Sequence, residues 1–239
     1  MKLRTGRYGV LAAVAVCAVS GLAACHAWAG QEAGRPNVVL PLPTRPPRGA
    51  VVLFAGNSND MTENWYARRS KDPAGWTVDA EGVATPNKRD ITSKAEFGDS
   101  IVHVEFRCPT QGGGNSGVGL QGRYEVQILN SYGKQPEAHE CGAFYSQKPP
   151  ITNACRRAGE WQTYDIIFRA PRFDADGKVI EKARATVFQN GILIQNNEEF
   201  NGPTGIQYEE NKGEVKSGPL VLQGDHDAVQ FRNVWVVPL

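Results

Sequence analysis

From Ala50 onward, apolar and polar residues alternate in short runs, and no sustained helical repeat interrupts them. Between Ser100 and Arg107, Val102, Val104 and Phe106 fall on one face and His103, Glu105 and Arg107 on the other, the period of a half-buried strand. Residues 123–128 repeat this: Tyr124, Val126 and Ile128 oppose Arg123, Glu125 and Gln127. Trp161 to Arg169 alternates again, with Trp161, Thr163, Asp165 and Ile167 against Gln162, Tyr164, Ile166 and Phe168. Ala183 to Phe188 and Ile192 to Ile194 flank Asn190-Gly191, a pair suited to the left-handed conformations of a tight hairpin. Ala50 to Phe54 opens the series, and Leu220–Gln223 and Phe231–Val237 close it. Trp76 to Val83 reads as a short strand with a turn at Gly82, and Asn57 to Asp60 as a turn. Asp174-Ala175-Asp176-Gly177 lacks the further oxygen ligands of a calcium loop and reads as a hairpin turn. The pattern predicts an all-β domain whose sheets have one apolar face and one that displays polar groups.

The first 49 residues follow other rules. Lys2, Arg4 and Arg7 precede an apolar run from Val10 to Ala24, too short and Ala-rich for a membrane span. The run ends at Leu22-Ala23-Ala24-Cys25, which resembles a bacterial lipobox, and Ala27-Trp28-Ala29 offers a rival cleavage site that would release a chain starting at Gly30. The lipobox is preferred because Cys25 directly ends the run. Residues 1–25 are thus expected to be a signal peptide. An exported, periplasmic or membrane-anchored lipoprotein follows, touching membrane only through the lipid at Cys25. Five prolines between residues 26 and 48 mark an extended tether, leaving 49–239 as the domain. Cys108, Cys141 and Cys155 remain; two could pair after export, without the sequence saying which. A net charge of +1 offers no field for nucleic acid.

The stretch from Gly112 to Gly133 carries the most chemistry. Its glycines permit close approach to backbone, and beside them lie an acid, a base and amides in strand register. Gly114-Asn115-Ser116-Gly117-Val118 with Leu120-Gln121-Gly122-Arg123-Tyr124-Glu125-Val126-Gln127 resembles the signature of the 3-keto-disaccharide hydrolase domain family. Phe97-Gly98-Asp99, His103-Val104-Glu105-Phe106, Gly159-Glu160-Trp161-Gln162-Thr163-Tyr164-Asp165, Asn190-Gly191 and Phe231-Arg232-Asn233-Val234-Trp235 extend the likeness over nearly all of residues 50–239. The chain departs from it at Asn130, where Asp is frequent, and at Gly224 before Asp225-His226.

The resemblance implies a concanavalin A-like jelly-roll sandwich of two antiparallel sheets and cleavage of 3-keto-glycosides. A ketone at C3 acidifies the C2 proton, so a base can remove it while the C1 oxygen leaves; water then adds to the double bond. Such a site needs a base, a stabiliser for the enolate oxygen and an acid. The expected parts are Glu125 or His103 as base, Arg123 at the enolate, and His226 as acid, oriented by Asp225 or Asp227. Asn115, Gln121 and Gln127, with Glu105, Asp165 and Lys94, are expected to contact the sugar, and Trp65 or Trp161 either stacks on it or fills the core. A divalent cation, with His103, Glu105, Asp225 and His226 as candidate ligands, is an alternative to Arg123. A non-catalytic carbohydrate-binding module is one rival reading. A conventional two-carboxylate glycosidase is another, although the strand bearing Glu125 holds no second carboxylate and Asp165 or Glu105 would have to supply it.

Overall fold

The computed structural model describes residues 45–205 and 212–239. The expected signal peptide and most of the tether lie outside these. What is described is an all-β sandwich, as the alternation predicts. One sheet, here called the back sheet, contains β1 (Val51–Phe54), β3 (Thr77–Val78), β4 (Ala84–Thr85), β6 (Ser100–Arg107), β9 (Gln162–Arg169), β12 (Arg184–Gln189), β13 (Ile192–Glu199) and β15 (Gln230–Pro238). Its order is β13-β12-β9-β6-β15-β4-β3, with β1 also paired to β15. The other, the front sheet, has the order β2-β5-β14-β7-β8, built from β2 (Trp65–Ala67), β5 (Ile91–Phe97), β7 (Ser116–Leu120), β8 (Tyr124–Ile128) and β14 (Gly218–Leu222). A small hairpin of β10 (Arg172–Phe173) and β11 (Val179–Glu181) turns through Asp174–Gly177, where Asp174 Oδ1 accepts from the amides of Asp176 and Lys178.

The apolar halves of the alternating runs meet between the sheets. Val102, Val104 and Phe106 of β6 and Tyr164, Ile166 and Phe168 of β9 pack in one cluster with Val118, Tyr124, Val126, Ile128 and Leu222 of the front sheet. Tyr124 sits against Phe168 at 5.7 Å and Phe106 against Tyr164 at 4.8 Å. The Tyr164 hydroxyl, buried from water, donates to the carbonyl of Gln127 at 2.6 Å, so a side chain of the back sheet holds the backbone of β8. Asn190 and Gly191 both adopt positive φ (53° and 77°), the turn the dipeptide predicts.

One reading needs correction. Asn57 to Asp60 is the start of a helix, α1 (Ser58–Asn64), and not a turn: Asn57 caps it and Asp60 answers from the third position. The glycine-rich half of the central stretch also carries a strand that no alternation announces, β7, paired in register with β8 from Ser116↔Ile128 to Leu120↔Tyr124. The segment from Trp76 to Val83 is as expected, one short strand, β3, followed by a turn in which the Gly82 amide donates to the Asp79 carbonyl at 3.1 Å. None of Cys108, Cys141 and Cys155 forms a disulfide, and all three are buried.

Candidate active site

The front sheet turns its polar face away from the core. Register fixes two adjacent rows across it. Tyr66, Thr92, Val221, Gly119 and Glu125 form one. Backbone bonds from Arg68 to Asp90 and from Gln223 to Gly117 extend the pairing into a second row that ends on Gln127. Glycine in both rows leaves the floor low beside Glu125. At Gly117 this is required: a Cβ there would lie 2.4 Å from Oε1 of Glu125. The carboxyl of Glu125 therefore occupies the space that any other residue would fill.

Glu125 is 3% exposed. Burial, with the negative charge of Asp90 and then Asp225 nearby, raises its pKa to about 8, against the opposing pull of Arg68. Arg68 is buried too; its Nη2 donates to the carbonyl of Gly122 at 2.9 Å and its Nη1 lies 3.7 Å from Asp90. Asp90 in turn accepts from the amide of Gly224 at 3.0 Å, which fixes the loop carrying Asp225 and His226. Burial and Asp90 raise the pKa of Asp225 as well, and the two carboxyls share a hydrogen bond. His226 is half exposed, its Nε2 3.4 Å from Asp225. A cleft of about 350 Å³ opens over Arg68, Asp90 and Asp225.

Gln127 and Asn115 share this face. Gln127 Nε2 is 3.5 Å from Asn115 Oδ1, and Gln127 Oε1 is buried with no hydrogen-bond partner among the described residues. Asp227 does not reach His226 but accepts from the Asn115 amide at 2.8 Å, pinning the glycine-rich approach to β7.

Other expected site residues are elsewhere. Arg123 donates to the carbonyls of Gly213 (2.6 Å) and Gln121 (2.8 Å), and Gln121 to those of Phe97 and Lys216. Both hold loops at the end of the β7–β8 hairpin. Lys94 is tied to the carbonyl of Thr62 at the end of α1. His103, Glu105 and Asp165 lie on the outer face of the back sheet, since their strand neighbours Val102, Val104 and Tyr164 are core. The whole sandwich separates them from Glu125, so they cannot act on the same sugar or complete a cation site with Asp225 and His226. Among the described residues no group of three or more His, Cys, Asp or Glu is set to hold a metal ion.

The back-sheet group is a closed network. His103 Nδ1 bonds Asp165 at 2.6 Å and its ring stacks on Trp235 at 4.8 Å. Burial opposes its charge, but Asp165 and Glu105 prevail and raise its pKa to about 9. Glu105 accepts from Arg232 (2.7 Å) and Asn233 (2.8 Å). Trp161 lies under Arg107 and Arg232, and Trp65 is fully buried with its indole N–H on the Leu53 carbonyl. Neither tryptophan faces the cleft.

One face of the sandwich thus gathers a single buried carboxyl over glycine, a guanidinium and two further carboxyls, and comparison with known proteins points to an enzyme that acts on carbohydrate. Residues 49–237 match the 3-keto-alpha-glucoside-1,2-lyase-like domain, and the chain belongs to that family. A solved structure from Parabacteroides distasonis, described as a "putative glycosyl hydrolase", is 36% identical with a TM-score of 0.72, covering 82% of this chain and 86% of that one. Two more structures from the same organism under the same description share the fold: 18% identity and TM-score 0.59 (80% of this chain, 94% of that one), and 20% and 0.56 (80% and 99%). A search of curated proteins found no match.

Arg68 and Asp90 were missed by sequence reasoning. Asp90 could have been reached, because Asp90, Thr92 and Lys94 share a face when the period-two pattern is extended back from Ile91. Arg68 carries no such signal: only the pairing of β2 with β5 brings it to the site.

Proposed function

We propose that this protein cleaves the glycosidic bond of 3-keto-glycosides by elimination across C1 and C2 followed by hydration, with the sugar lying over Gly117 and Gly119. The observation that carries the reading is the buried Glu125 carboxyl, which holds its proton at neutral pH beside Arg68. A carboxyl that is mainly protonated at neutral pH suits the acid better than the base, so the expected roles change places. Glu125 gives its proton to the departing C1 oxygen. His226, oriented by Asp225, takes the C2 proton. Arg68 stabilises the enolate oxygen at C3, the part first expected of Arg123. Gln127 and Asn115 offer amides for sugar hydroxyls. The basic, apolar and lipobox-like segments of the N-terminus support export and lipid anchoring at Cys25.

One observation favours a second reading. Asp90 and Asp225 bring to Glu125 the second carboxylate that its own strand lacks, as a conventional glycosidase needs. Incubation with trehalose and with 3-keto-trehalose in D2O separates the two. Elimination requires that only the keto sugar be cleaved and that solvent deuterium appear at C2. Cleavage of trehalose itself would refute the proposal, and binding without turnover of either would mark a carbohydrate-binding module.

A further inference from the structure

Past Arg68 the face that carries Glu125 continues into a second cleft. Its volume is about 610 Å³, and Tyr66, Thr92, Glu96 and Pro219 line it beside Arg68. Small-molecule sites commonly enclose about 300–1,000 Å³. The two clefts share Arg68 and part along β5: the first takes in Asp90, the second Thr92 and Glu96. Tyr66 and Thr92 stand in the row that runs through Val221 and Gly119 to Glu125. Three strand spacings, about 14 Å along the sheet, therefore separate Thr92 from Glu125, which is more than one sugar ring covers.

The floor of this cleft holds an unmet hydrogen-bonding group. Thr92 is 4% exposed, and its buried hydroxyl has no partner among the described residues. Valine would suit a strand as well without that cost. Half-buried Tyr66 stands beside it, an aromatic side chain that can lie against the apolar face of a sugar. The roles proposed for Arg68, Asp225 and His226 fix which edge of the oxidised sugar faces this way. Arg68, at the divide between the clefts, holds the C3 oxygen, and His226 with Asp225, at the first cleft, takes the C2 proton. C2 and C4 flank C3 in the ring. With C2 turned toward the first cleft, C4 turns toward the second. The register is consistent with this, since Gly117 lies in the row of Asp90 and Gly119 in the row of Thr92.

We propose that the second cleft is a subsite for a further sugar unit carried on the C4 oxygen of the oxidised ring, so that the preferred substrate is a 3-keto-glycoside extended at C4. The inference rests on the proposed elimination and its placing of C2 and C3.

The test compares 4-nitrophenyl 3-keto-glucoside with the same compound bearing a glucosyl unit on O4, so that the leaving group is constant. The extended compound should have a kcat/KM about tenfold higher, the scale of one or two added hydrogen bonds. Thr92→Val, which keeps the shape of the side chain, should lower that ratio by at least about threefold. Tyr66→Ala should bring it close to one. The ratio is internal to each protein and so is insensitive to a general loss of activity. A parent ratio of one or less, or a ratio that either substitution leaves unchanged, overturns the subsite. If the parent cleaves neither compound, calorimetric binding of the two unoxidised glycosides decides. Tighter binding of the extended one, lost in Tyr66→Ala, upholds the subsite while the proposed reaction falls. Equal binding, or a difference that Tyr66→Ala leaves intact, overturns the subsite too.

Discussion

Replacing Glu125 by Gln should stabilise this protein while removing its activity, and the stabilisation should depend on pH in a defined way. The folded-state pKa of about 8 lies above the ordinary glutamate value of 4.5. Between these values the folded chain holds a proton that the unfolded chain has released. Stability therefore falls as pH rises from about 4.5 to about 8 and levels off above that. Gln mimics the protonated carboxyl at every pH and escapes the loss. At pH 4 the two proteins should be equally stable to within the cost of the substitution itself. By pH 7 the variant should have gained about 3 kcal/mol on the parent, or roughly 6–12 °C in melting temperature for a domain of this size. Denaturant unfolding of both proteins at half-unit steps from pH 4 to 9 gives the difference curve, and common titrations cancel in it. A curve flat to about 0.5 kcal/mol would mean that Glu125 ionises like a solvated glutamate, and its role as proton donor would fall with it.

Further outcomes test other parts of the site. Arg68→Gln should lower kcat by about a hundredfold or more, the usual scale for a lost transition-state donor, whereas Arg123→Gln should chiefly weaken folding through its loop carbonyls; equal kinetic losses would undo the reassignment. Gly117→Ala should displace the Glu125 carboxyl and cut turnover by at least about tenfold with little change in melting temperature, because Gly117 has an ordinary backbone conformation and the three atoms nearest the new methyl all belong to the Glu125 side chain. His103 has its pKa raised to about 9, so its contribution, roughly 3 kcal/mol, is present below pH 6.5 and disappears as pH rises through 9. His103→Asn should flatten the stability profile in that window and leave kcat unaltered. A fall in kcat would return His103 to the active site.

The alternation at residues 100–107, 123–128 and 162–168 was enough to name the class of fold and to divide core from exposed side chains. It could not say which exposed faces belong together. His103, Glu105 and Asp165 look like partners of Glu125 because all lie on polar faces of strands, yet period two records only which side of its own sheet a residue takes. Sheet membership depends on which strands pair, through contacts far apart in the chain. Arg68 reaches the site only because β2 pairs with β5, and Asp90 and Asp225 approach Glu125 only because β5 and β14 are neighbours. Strand β7 was hidden for a local reason. Gly117 and Gly119 weaken any propensity for strand, and the ladder to β8 and β14 overrides it. Helix α1 was hidden because Asn-Ser-Asn-Asp serves a turn as readily as a helix cap.

The hydroxyl of Tyr164 on the Gln127 carbonyl makes the strand that bears Glu125 a joint possession of both sheets. Separating the layers would break that bond, so the sandwich cannot breathe without disturbing the strand that carries Glu125. Thermodynamic linkage then runs in both directions. A ligand resting on β8 holds the layers shut, and amide protons deep in the back sheet, far from any sugar, should exchange more slowly when the cleft is filled.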